Sequence, residues 1–143
     1  LARGQQKIGL AAEEGRDLDD VHHLGRRTRW DKGDWLPVVA PSHEREASHR
    51  AFPKRIEDWD MTRIIADFAD AAERMQAAGL DGIEFECYGH LMDQFWSPLT
   101  NDLEAPYGGS LDNRLRFTFD VLRAIRARCG TVYHPCGSAR GWS

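Results

Sequence analysis

The sequence predicts an α/β protein built on parallel strands, and three segments carry that prediction. A helical apolar stripe over residues 61–78 is followed by an alternating strand pattern over 80–88 and a second helical pattern over 111–129. Helix, short turn, strand, loop and helix in that order is the rhythm of parallel α/β folds.

In the first helix Ile64, Ile65, Phe68, Ala72 and Met75 recur at helical spacing. Asp58 or Asp60 is expected to cap its start, and Gly79 suits the left-handed position beyond its last turn. The strand that follows alternates. Ile83, Phe85 and Cys87 fall on one face, and Glu84, Glu86 and Tyr88 on the other. The second helix is expected to bury Leu111, Leu115, Phe119, Leu122 and Ile125, with Ser110 as N-cap and Gly130 as terminator. A shorter strand is expected around Leu18 to His22. The long charged stretch from Leu24 to Glu57 contains Pro37, Pro41 and Pro53, and loops of that length are usually functional. After Gly130 the pattern fails, because Pro135, Gly137 and Gly141 interrupt what would be the next strand.

Composition narrows the function. The chain has 143 residues, 41% apolar and 29% charged, which suits one modest soluble domain. A formal net charge of -4 argues against a nucleic-acid partner, and the Arg26, Arg27 and Arg29 cluster reads as a solvated loop. No apolar run is long enough for a membrane span, and Leu1 to Gly4 lacks a signal-peptide core. Cys87, Cys129 and Cys136 form neither a disulfide framework nor a zinc pattern, which fits a reducing, cytoplasmic setting. Adjacent His22 and His23 would point to opposite faces of a strand, so no metal ligand set is expected.

The chemistry is expected at the end of the second strand. An acidic face would be the solvated one in an open sheet. In a parallel sheet both faces are covered, and inward carboxylates then mark a polar site, because burying them unpaired is costly. Glu86, Tyr88 and His90 stand at or just past the strand's C-terminal end, where parallel folds place their ligands. Tyr107-Gly108-Gly109-Ser110 reads as a tight turn and helix cap, since it has neither dinucleotide nor P-loop spacing.

His23-Leu24-Gly25-Arg26, Val39-Ala40-Pro41-Ser42, Ala78-Gly79-Leu80-Asp81-Gly82-Ile83-Glu84, Gln94-Phe95-Trp96-Ser97-Pro98, Asn101, and the run from Tyr107 to Phe117 follow one another along the chain. Together they resemble the old yellow enzyme family of NADH:flavin oxidoreductases. The resemblance spans about residues 20–130 and implies part of a TIM (β/α)₈ barrel, from strand 3 to helix 4. It implies FMN as cofactor, with NADH or NADPH as a further redox partner, and a small-molecule substrate. His23 and Arg26 are implied as cofactor-binding residues. Tyr88-Gly89-His90-Leu91-Met92-Asp93-Gln94-Phe95 is most similar to the branch related to trimethylamine dehydrogenase, which implies demethylation of an N-methylated amine.

Relatives that reduce alkenes carry a histidine pair, or histidine and asparagine, where this chain has Glu86, Tyr88 and His90. A carboxylate beside aromatic groups suits a cationic ammonium better than a polarised carbonyl. These three residues are therefore the catalytic candidates, and alkene reduction is the alternative. Asp20 stands where relatives carry a flavin-touching glutamine, and an ionised carboxylate cannot donate a hydrogen bond. No iron–sulfur cluster is supported.

Both ends depart from the pattern. Arg16 to Asp20 is too acidic for an inner barrel strand, and Thr131 to Cys136 replaces an apolar one. A shifted reading frame or a truncated gene is expected near both boundaries. On that basis 143 residues alone would bind FMN weakly or not at all, exposed barrel edges would offer a route to self-association, and a non-catalytic remnant is the remaining alternative.

Overall fold

The computed structural model describes residues 10–13, 16–27, 37–48, 52–130 and 134–137. One four-stranded sheet, in the order β1-β2-β5-β6, comprises β1 (Leu10–Glu13), β2 (Arg16–Val21), β5 (Gly82–Phe85) and β6 (His134–Gly137). β2, β5 and β6 run parallel, while β1 turns back antiparallel against β2. A small parallel pair, β3 (Val39–Ala40) and β4 (Lys54–Arg55), lies within the long charged stretch. Three helices complete the chain: α1 (Asp58–Ala77), α2 (Leu91–Trp96) and α3 (Leu111–Cys129).

Helix α1 begins three residues before the apolar stripe, and its N-cap is Glu57 rather than Asp58 or Asp60. Asp60 lies at the third helical position, where its carboxylate accepts the Glu57 N–H at 3.0 Å. That carboxylate is 1% exposed and also takes the Lys54 ammonium at 2.6 Å, which ties β4 to the helix start. Gly79 has the expected positive φ, 89°. Met61, Ile64, Phe68, Ala72 and Met75 are buried as their spacing requires, and Ile65 is only partly covered.

Helix α3 has the expected bounds, Ser110 cap and Gly130 terminator, and the Asn113 N–H donates to Ser110 Oγ. Its buried stripe differs from the expected one. Phe117, Val121, Ile125 and Cys129 are buried, while Leu111 and Phe119 are 57% and 47% exposed. Both stripes satisfy a helical period, so the sequence alone does not choose between them. Packing does: Phe117 stacks on Phe95 of α2 with ring centroids 4.4 Å apart.

Three further expectations are corrected. The central strand ends at Phe85, three residues short of Tyr88, because the chain turns there and Gly89 adopts a φ of 68°. The acidic segment before Val21 forms β2, which lies between β1 and β5 as an inner strand of the sheet. The residues after Gly130 include a strand, β6, in which Pro135 pairs opposite Ile83. In all these strands the backbone ladder supplies the pairing whatever the side chains prefer, and β6 is an edge strand of the described sheet, where proline is tolerated. Of the residues behind the reading-frame expectation, Thr131 to Tyr133 lie outside the described ones.

The core is one cluster between the sheet and helices α1 and α3. Ile64, Phe68, Ala72, Ile83, Phe85, Phe95, Phe117, Val121 and Ile125 anchor it.

Candidate functional site

The register of the two central parallel strands builds the site. Val21, the last residue of β2, pairs with Phe85, the last residue of β5. His22 and Glu86 therefore leave the sheet side by side at its C-terminal edge. His22 Nδ1 lies 3.4 Å from Glu86 Oε2. His90 returns to the same place as N-cap of α2, with its Nδ1 at 4.0 Å from that oxygen and at 3.2 Å from the backbone carbonyl of Glu86. The two imidazole rings are tilted with centroids 5.0 Å apart. Both histidines are buried, and the Glu86 side chain is 47% exposed, so its carboxylate forms the solvent-facing side of the cluster.

Two sequence-derived candidates, Glu86 and His90, are thus brought together, and His22 joins them. His22 was missed because it was weighed only against its neighbour His23. The signal available was its position one residue past a strand end, matching that of Glu86 in the parallel neighbour. Tyr88 stands apart: it is 84% exposed, in the turn beyond the shortened strand.

The cofactor candidates sit on the adjoining turn. His23 Nδ1 accepts the Gly25 N–H at 3.1 Å. Burial, followed by the neighbouring Arg63 guanidinium and the His22 ring, pushes its pKa down to about 4. The ring is therefore neutral at ordinary pH, and its second nitrogen is a donor. Arg26 pairs through Nη1 with Glu44 Oε2 at 3.1 Å.

Gln94 locks this turn to the one beyond β5. Its side chain is 3% exposed; Oε1 accepts the Arg26 N–H at 3.0 Å, and Nε2 donates to Leu24 O at 3.1 Å and Gly89 O at 2.9 Å. The Leu91 N–H donates to His23 O at 2.8 Å across the same gap, and Arg27 Nη1 donates to Tyr88 O at 3.1 Å. Gly25 has a φ of 56°, and a Cβ there would lie 2.3 Å from Gln94 Oε1. The turns carrying His23, Arg26 and His90 are accordingly one braced unit.

Asn101 is also structural. Its amide nitrogen donates to Phe95 O at 2.8 Å and Tyr107 O at 2.9 Å, and its oxygen accepts the Leu103 N–H at 3.0 Å. The Tyr107–Ser110 turn keeps the reading of turn and cap, since a Cβ on Gly108 would meet Leu103 O at 1.7 Å. Burial, with Asp93 and Glu86 nearby, pushes the Cys87 thiol up to about 11, which removes it as a nucleophile at neutral pH. What remains is one carboxylate between two imidazoles at the end of a parallel sheet, a site able to receive a cation and to hold a proton on a ring nitrogen.

The model of the NADH:flavin oxidoreductase / NADH oxidase family matches residues 18–133. The chain is 81% identical over 111 residues to the protein named "Probable N-methylproline demethylase" of Rhizobium meliloti (strain 1021), a match covering 78% of this chain and 16% of that protein. It is 44% identical over 135 residues to an N,N-dimethylglycine/sarcosine dehydrogenase of Chromohalobacter salexigens, covering 86% of this chain and 20% of the other. Among solved structures it is similar to morphinone reductase, with a TM-score of 0.71 and 26% identity over 80% of this chain and 35% of that one. The chain therefore spans a fifth or less of the length of these two curated relatives.

Proposed function

Because the chain belongs to the NADH:flavin oxidoreductase / NADH oxidase family and folds as part of its (β/α)₈ barrel, we propose that it forms the substrate mouth of a flavin-dependent oxidoreductase. The substrate of that enzyme is an N-methylated amino acid, held as its ammonium. The observation that carries this reading is the Glu86 carboxylate, half-exposed at the end of β5 and flanked by His22 and His90. The names of the two curated relatives point to the same substrate class.

The donor chemistry fits a flavin. Its carbonyl edge asks for N–H donors, and the turn after β2 offers the Arg26 guanidinium and the second nitrogen of neutral His23. FMN, when bound, supplies the two-electron acceptor for hydride from the N-methyl carbon, leaving an iminium that water hydrolyses to formaldehyde and the demethylated amine. The chain's own residues set the rest. Glu86 holds the cationic nitrogen by charge. His90, fixed by its contact with Glu86 O and by its place at the start of α2, is the group positioned to take a proton from the ammonium or from attacking water. Gln94 keeps both turns at fixed separation. Tyr88 contributes an exposed ring at the rim. The free thiols of Cys87 and Cys129 fit the reducing compartment expected for such an enzyme.

The test uses the FMN-loaded whole barrel that contains this chain, without oxygen. N-methylproline and N,N-dimethylglycine are expected to bleach the flavin absorbance, and proline and glycine are not. Absence of bleaching by any N-methylated amino acid would overturn the reading.

A further inference from the structure

We propose that His22, Glu86 and His90 form a divalent transition-metal site, with zinc as the ion it fits best. This goes beyond the flavin reading and does not depend on it.

Three residues of ligand types that suit zinc converge here, two imidazoles and a carboxylate, and one potential ligand atom from each lies within 4.8 Å of the others. Tetrahedral zinc, at about 2.0–2.2 Å from nitrogen and oxygen, places its ligands about 3.3–3.5 Å apart. The His22 Nδ1 to Glu86 Oε2 distance is already 3.4 Å. The Glu86 side chain is 47% exposed, so its carboxylate can turn towards the two rings.

The surroundings also match a metal site. His90 Nδ1 lies 3.2 Å from the backbone carbonyl of Glu86, the kind of hydrogen bond that fixes the tautomer of a ligating imidazole. Both histidines are buried on ordered backbone: His22 directly follows β2, and His90 caps α2. Glu86 faces solvent and provides the entry path. With three protein ligands a fourth position stays open. A bound cation would neutralise Glu86 and compete with an ammonium for it.

The experiment is metal binding by the purified, chelator-treated protein. One equivalent of Co²⁺ is expected to give the visible bands of tetrahedral cobalt, and Zn²⁺ to displace them. His22→Ala, His90→Ala and Glu86→Gln should each weaken Zn²⁺ binding by at least about tenfold. His43→Gln, outside the cluster, should leave it unchanged. Circular dichroism checks the fold of each variant, and Glu86→Gln, altered at a half-exposed side chain, serves if a histidine variant fails to fold. No binding, or binding that survives all three substitutions, overturns the proposal. The readout needs no flavin, so it stands apart from the amine-bleaching test.

Discussion

Replacing Gln94 by leucine should loosen the braced turns without leaving a hole. Leucine has nearly the volume of glutamine, so the loss is polar rather than steric. Three hydrogen bonds of 2.9–3.1 Å disappear together, and Arg26 N–H, Leu24 O and Gly89 O lose their partner. A hydrogen bond removed from a partly buried setting costs about 1 kcal/mol, since water reaches some of the orphaned groups, so the sum is about 3 kcal/mol. Gln94→Glu gives a sharper form of the argument. Its carboxylate still accepts from Arg26 N–H but faces two carbonyl oxygens, so at pH 7 it should cost at least as much as leucine. Lowering the pH protonates the new carboxyl and restores one donor, so this variant alone should regain part of the loss. Urea unfolding followed by circular dichroism measures all three proteins. Variants within about 0.5 kcal/mol of the wild type would refute the bracing role.

Other predictions concern single groups. His23 has a folded pKa near 4 against an ordinary 6.5, so the unfolded chain binds the extra proton first. Its contribution is therefore complete above pH 6.5 and is lost as pH falls towards 4, an effect of about 3 kcal/mol. Unfolding at pH 7 and pH 4.5 should show a smaller acid loss in His23→Asn; an identical loss would count against the neutral, half-buried ring. Gly108→Ala drives a Cβ into the Leu103 carbonyl, and should destabilise by about 3 kcal/mol or fail to fold. A normal melting temperature would show that the turn has room to shift. Phe117→Ala removes a fully buried ring stacked on Phe95, with an expected cost of about 3–5 kcal/mol by urea unfolding. A loss below about 1 kcal/mol would mean that this stack is not the anchor of α3.

Periodicity located both long helices, and for α3 it also set the ends, because Ser110 and Gly130 are local signals acting on local backbone. It could not say which face of α3 turns inward. That depended on Phe95, in a short helix that has too few residues to show a period. The strand expected around Leu18 to His22 is β2, although its acidic start looks unsuited to an inner place in the sheet; β6 looks unsuitable by composition, and both are held there by ladder pairing with β5, a long-range effect that side-chain patterns do not report. The position of Glu86 and His90 at the strand's C-terminal end was legible from the motif. The partnership of His22 with Glu86 was not, since it follows from inter-strand register. The exposure of Tyr88 follows from a turn three residues earlier than alternation suggested.

The central claim is that the Glu86 carboxylate receives a cationic amine, and the concentration dependence of flavin bleaching tests it most directly. Wild-type and Glu86→Gln forms of the FMN-loaded whole barrel would be mixed anaerobically with N-methylproline over a range of concentrations, with FMN binding measured separately. Glu86→Gln is expected to weaken the apparent Kd for the amine by at least about tenfold, the loss of one charge contact, with FMN affinity unchanged. Equal amine affinity in the two proteins would contradict it.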